Sequence, residues 1–256
     1  MVRIRTLPNK PLVEAILELR WHVDPDRGDP NYSIFVGRLY NLLRSKYPYH
    51  EPLPTSMIPE QMAGNIVQHR FRISEHQWPL VQVGPGIVTL NDTESYTWDD
   101  FGARARDLVK STFKAYPDSN SLKVTSLLLR YIDSDDLDYL SENVFAYLRD
   151  KLKVRVVVPR QLFKSVDVKD MPKGMNFLVA YQTEKPKGTI TLRFATGTRG
   201  EKRALVWETA VQSVNKELPL LPRGFAGWAR AAHAITDDWF FKLIEGELER
   251  RYAGES

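Results

Sequence analysis

Residues 12–22, LVEAILELRWH, alternate between two kinds of side chain, and this alternation restricts the fold more than any other feature of the chain. Val13, Ala15, Leu17, Leu19 and Trp21 fall on one side of an extended backbone; Glu14, Ile16, Glu18, Arg20 and His22 fall on the other. Successive side chains of a strand point to opposite faces, so a period of two over this length predicts a half-buried strand. Such a strand needs neighbours in a sheet and a layer of other elements to cover its apolar face.

The rest of the chain supplies both. A helical stripe of Phe35, Leu39, Leu42 and Leu43 predicts a helix over 32–47, ended by Pro48. Residues 48–59 hold four prolines and read as a loop. Three strands are expected at 65–74, 79–83 and 87–91, with Gly84-Pro85-Gly86 as a tight hairpin turn between the last two. A helix over 98–116 follows, with Asp99 and Asp100 in its first turn, where carboxylates suit the helix dipole. The second half reads as a Leu-rich strand at 122–133, a helix at 137–152 and a basic loop at 154–174. Strands at 176–183, 189–196 and 204–214 and a long helix over 225–250 complete it.

Laid side by side, the halves about 12–116 and 122–250 share one order: strand, helix, three strands, helix. The expected fold is α+β, a single domain over residues 1–256 with an internal pseudo-repeat. An antiparallel sheet would carry its helices on one side. The analogy is to helix-grip and TATA-binding-protein-like arrangements, and it extends to the fold alone.

Composition removes several classes of chemistry. The chain has no cysteine, which excludes disulfides, thiolate nucleophiles, zinc-finger sites and iron–sulfur sites. Nothing after the opening MVRIR resembles the apolar core of a secretory signal, and no run has the length of a membrane span. A cytoplasmic protein without a membrane partner is expected. The net charge is +4 and the sequence pI about 9.1, with 36 basic residues spread along the chain. Solubility explains this balance; nucleic-acid contact stays an alternative that charge alone does not favour.

Pro11-Leu12-Val13-Glu14-Ala15-Ile16-Leu17-Glu18-Leu19-Arg20, Val81-Gln82-Val83-Gly84 with 87–91, the 96–101 stretch and Leu129-Arg130-Tyr131-Ile132-Asp133 form a recognisable set. Together they resemble a sporadically distributed family of uncharacterised bacterial proteins of about this length. The resemblance leads one to expect Asn where Asp133 stands. It implies no activity, cofactor or catalytic residue that transfers to this chain, and it suggests accessory or mobile-element genes.

Most motifs have structural readings. His233 and Asp237 lie four apart on the last helix and could face one metal, but no third ligand is visible, so a packed histidine is the better reading. His69 and His76 make a weaker pair. Asp133, Asp135, Asp136 and Asp138 crowd a strand-to-helix junction and read as helix caps. Neither Gly84-Pro85-Gly86 nor Gly197-Thr198-Arg199-Gly200 has a phosphate-loop or dinucleotide pattern, and no nucleophile elbow or His-Glu-x-x-His pair occurs. No metal and no cofactor are expected.

The remaining signal is charge on strands. Glu14, Glu18 and Arg20 share one face of the first strand; Arg130, Arg193 and Glu208 interrupt apolar strands later. Cross-strand ion pairs on a solvated face are one reading. The sharper one is a polar ligand-binding surface made of these six residues, covered in part by 48–60 or 155–174. The corresponding function is a non-enzymatic binding or regulatory protein that takes a small ligand or a protein partner on a sheet face or sheet–helix groove. A nucleic-acid-associated accessory protein and an enzyme using a Glu/Arg pocket are the alternatives, and a homodimer is left open.

Overall fold

The computed structural model describes residues 7–59, 64–93 and 95–255. Nine antiparallel strands form one sheet: β1 (Leu12–Trp21), β2 (Tyr49–Pro52), β3 (His69–Arg72), β4 (Leu80–Gly84), β5 (Ile87–Asp92), β6 (Val124–Asp136), β7 (Asn176–Glu184), β8 (Lys187–Arg199) and β9 (Lys202–Val214). Their order across the sheet is β2-β3-β4-β5-β1-β6-β9-β8-β7. The helices are α1 (Tyr32–Leu43), α2 (Trp98–Ala115), α3 (Val144–Lys151), α4 (Phe225–Ile244) and α5 (Glu247–Ala253). The expected α+β class with an antiparallel sheet is present.

Alternation decides which side of the sheet the helices take. Ala15, Leu17, Leu19 and Trp21 of β1 are buried, and the intervening Glu14, Ile16, Glu18 and Arg20 are half-buried. Their cross-strand partners continue each face: Leu17 lies opposite Leu90 and Leu129, and Leu129 opposite Val211. Phe35 and Leu39 of α1, Phe101 and Leu108 of α2, and Phe225 and Trp228 of α4 complete this buried cluster. A second cluster joins Phe194, Leu205 and Trp207 to Val144 and Leu148 of α3 and to Leu248 and Tyr252 of α5. Each fully buried side chain of this size contributes about 1.5–3 kcal/mol, so one face of the sheet carries the apolar core and the other is left without helices.

Local chemistry explains several boundaries. Gly86 turns the β4–β5 hairpin at φ +74, where an added Cβ would meet the Asn65 side chain at 2.3 Å. Thr97 caps α2 by accepting from the amide of Asp100.

Some expectations need correction. The proline-rich stretch 48–59 holds a strand, β2, because Tyr49 to Pro52 pair with Arg72 to His69. The expected helix 137–152 shrinks to eight residues, Val144–Lys151. Its cap is Asn143, whose side chain accepts from the amides of Phe145 and Ala146. Residues 133–136 stay in β6, held by pairing with β9, so Asp133, Asp135 and Asp136 cap no helix. The long terminal helix is two helices, broken at Gly246, which adopts φ +102; only glycine takes such a backbone readily. The gap left between the expected strands at 189–196 and 204–214 is mostly strand, with β8 and β9 paired out to Arg199 and Lys202.

Candidate functional site

All six residues singled out from the sequence lie on the helix-free face. On β1, Glu14, Glu18 and Arg20 alternate with the core residues. On β6, Arg130 is opposite Ile16, and Ile132 is opposite Glu14. Ile132 in turn faces Glu208 on β9, and Glu208 faces Arg193 on β8. Residues directly opposite one another in an antiparallel sheet share a face, which puts the whole set on one surface.

Two polar ladders cross this surface and stop at its centre. On one side of β1, the Asn91 amide donates to Glu14 at 2.7 Å. Asn91 accepts from Gln82 at 3.2 Å and from Thr89 at 2.5 Å. Gln82 accepts from Arg70 at 3.3 Å, and Glu51 accepts from Arg72 at 2.6 Å and lies 3.6 Å from Arg70. This ladder spans β1, β5, β4, β3 and β2. On the other side, Arg130 lies 3.9 Å from Glu208, Glu208 accepts from Arg193 at 2.9 Å, and Arg193 donates to Asn176 at 3.0 Å. That ladder spans β6, β9, β8 and β7.

The gap falls between Glu14 and Arg130. Burial raises the Glu14 carboxyl above its ordinary value, against the opposing hydrogen bond from Asn91 and the charges of Arg130 and Arg70. The Nε of Arg130 is buried and has no hydrogen-bond partner. A buried N–H of a guanidinium without an acceptor is costly. Glu18 and Arg20 form a separate bidentate pair, at 2.5 and 2.9 Å, that joins neither ladder. Hydrogen bonding to Glu18 raises the Arg20 pKa above its ordinary value.

The ladder residues Arg70, Gln82, Thr89 and Asn91 were missed in the sequence. Thr89 and Asn91 sit at alternate positions among the apolar residues of 87–91, a signal that assigns them to the charged face once β5 is known to pair with β1. Arg72 and Glu51 carried no such signal, because β2 was hidden among prolines.

The helix-covered face has its own polar group of residues. The Tyr131 hydroxyl meets Tyr96 at 2.8 Å and His233 Nδ1 at 3.0 Å. Trp98 stacks on the His233 ring at 3.9 Å and 12°. Burial pushes the His233 imidazole down to about 4, so it is neutral near pH 7. Asp133 is 3 % exposed, and burial pushes its carboxyl up to about 8. Its cross-strand neighbour Trp207 is fully buried, with its indole N–H unpaired. His233 is thus a packed histidine, as expected. His69 meets His50, at 3.2 Å, rather than His76.

The remaining acids of the 133–138 cluster serve ion pairs. Asp135 accepts from Tyr147 and Arg251, Asp136 lies 3.3 Å from Lys202, and Asp138 accepts from Arg203 at 2.8 Å. Basic charge is less evenly spread than expected: residues 151–173 hold seven cations against two acids, a net +5 in a chain of +4. That segment is largely exposed, with Val157 at 76 % and Leu162 at 63 %. Among the described residues, no helix is long and apolar enough to cross a membrane.

No protein-family model matches the chain, and no curated protein matches it. Among solved structures, the di-domain ARO/CYC StfQ from the steffimycin biosynthetic pathway overlaps 93% of this chain and 99% of its own, at 11% identity and a TM-score of 0.21. A likeness at that level carries no argument about fold or function.

Proposed function

We propose that this is a binding protein whose helix-free sheet face takes a polar, anionic ligand at the break between the two ladders. The observation that carries this reading is the buried Nε of Arg130, which makes no hydrogen bond and meets a carboxylate only at 3.9 Å, on Glu208, with the Glu14 carboxyl on its other side. A carboxylate or phosphate oxygen would satisfy that donor. Arg193 sits two strands away, sharing Glu208 with Arg130, and its forked donors suit the same kind of group. Glu14, Asn91 and Gln82 would bind hydroxyl or amide groups of the same ligand. The face offers fixed donors and acceptors in two ladders, which supports a binding or regulatory reading.

The test is a thermal-shift screen of phosphates, dicarboxylates and nucleotides. A binder raises the midpoint of the wild type by mass action. Its effect should vanish in Arg130→Ala/Arg193→Ala while the unliganded variant still folds. A shift that survives both substitutions would place binding elsewhere.

The exposed +5 segment at 151–173 supports a second reading, contact with a nucleic acid. A gel shift that weakens steeply with salt would favour it.

We also infer that the two halves descend from one unit. Outward from the centre, β1-β5-β4-β3 is mirrored by β6-β9-β8-β7, and a helix follows the first and the second strand of each series. Superposing 12–116 on 122–250 should align these strands in order and direction, with β2 as the addition.

A further inference from the structure

The two edges of the sheet are built differently. β2 has four residues, ends in Pro52, and carries Glu51 in ion pairs with Arg70 and Arg72. A short edge with a charge and a proline is closed to further pairing. β7 has nine residues, with no proline and no charge before Glu184. Its register with β8 runs unbroken from Asn176 to Glu184, so no bulge turns it away. Among the described residues, no backbone group bonds to its outer side. Leu178 and Tyr181 are 57 % and 56 % exposed there. A long, flat, apolar edge of this kind is a template for another strand.

We propose that β7 pairs with β7 of a second copy of this chain, antiparallel, across a two-fold axis at Ala180. The strand is self-complementary about that point. Val179 falls opposite Tyr181, Phe177 opposite Thr183, Leu178 opposite Gln182, and Asn176 opposite Glu184. All nine residues pair, no like charges meet, and the Val–Tyr pair, formed twice, is of a favourable β-branched–aromatic type. This register joins odd positions to odd ones. Odd positions of β7 face the helix side, where Phe177 and Val179 pack and Tyr181 meets Trp239. The axis therefore stands perpendicular to the sheet, with all helices on one side and both charged faces on the other. Pairing also ends growth: each copy spends its open edge, and the closed β2 edges remain outside, so the assembly stops at two.

Sedimentation velocity tests this on the full chain. The wild type should sediment as a dimer at high concentration and dissociate on dilution. Ala180→Lys sets two ammonium groups against each other at the axis and should weaken the dimer at least about tenfold. Ala180 is exposed, so this variant should unfold at the midpoint of the dissociated wild type. Mixing Ala180→Lys with Ala180→Glu should restore a dimer. Because the chain has no cysteine, Ala180→Cys should form one oxidised cross-link, through residue 180 of both copies. A wild type that stays at single-chain mass throughout overturns the proposal. So does an undiminished Ala180→Lys dimer, a charge-swapped mixture that stays monomeric, or a dimer that Ala180→Cys does not cross-link.

Discussion

β6 serves both faces of the sheet, and the two faces treat their polar groups in opposite ways. Arg130 points to the helix-free face, Tyr131 and Asp133 to the covered one. On the covered face, desolvation favours the neutral forms of His233 and Asp133, while Asp135, nearer the end of β6, is paired with Arg251. On the free face, Arg193 with Glu208 and Arg20 with Glu18 meet as partly exposed ion pairs. The lesson is that burial depth decides what a polar residue can do here. Buried groups under the helices are shifted by desolvation, and the paired groups of the open face stand within reach of a ligand.

The strongest way to break this contrast is to cut a core residue that faces the helices. Trp207→Ala, at 0% exposure, should cost about 3–5 kcal/mol in denaturant unfolding. A loss below about 1 kcal/mol, within the usual range for exposed changes, would mean the covered face is not the core.

The second effect is on pH. Asp133 has a folded pKa of about 8, above its unfolded value near 3.8. Between these values the folded chain holds a proton that the unfolded chain releases, so stability falls as pH rises, by about 1.4 kcal/mol per unit. Above pH 6.5, where the opposing His233 contribution is complete, Asp133→Asn should abolish that slope, and it should be the more stable protein at pH 8. Equal slopes in the two proteins would show that Asp133 is solvated.

His233 works in the other direction. Its folded pKa, about 4, lies below its unfolded value of 6.5, so its contribution is complete above 6.5 and lost as pH falls toward 4. In the wild type this slope opposes that of Asp133 over the same range. In Asp133→Asn the His233 contribution, up to about 1.4 kcal/mol per unit, should no longer be opposed by Asp133, and His233→Gln in that background should remove it.

The smallest effect belongs to the free face. Arg193→Ala breaks a pair whose partners are 38% and 21% exposed, and should cost less than about 1 kcal/mol. A larger loss would mean that this face is structural rather than available.

The division between the faces was legible in the sequence because strand alternation is local. Glu14, Glu18 and Arg20 declare their face without knowledge of any other strand. That Arg130, Arg193 and Glu208 share it depends on register, which alternation does not determine across 100 residues. The pairing of Ile132 with both Glu14 and Glu208 supplied it. The errors came where tertiary contact overrode local signals. Four acids at 133–138 resemble caps, yet pairing with β9 carries β6 past three of them. Four prolines at 48–59 resemble a loop, yet an edge strand tolerates one at its end. Gly246 was readable as a break, but the apolar stripe from Trp228 to Leu243 ends before it, and the expected helix was carried on to 250.

The most direct test of the free face as a ligand site is the Nε–H resonance of Arg130. Phosphate, citrate and nucleoside monophosphates should be titrated into the protein while arginine side-chain spectra are recorded. The account predicts that at least one of these anions shifts Arg130 Nε–H and slows its exchange with water, while Arg20, already locked to Glu18, stays in place. If all of them leave Arg130 unmoved, or move Arg130 and Arg20 alike, the break between the ladders is no binding site.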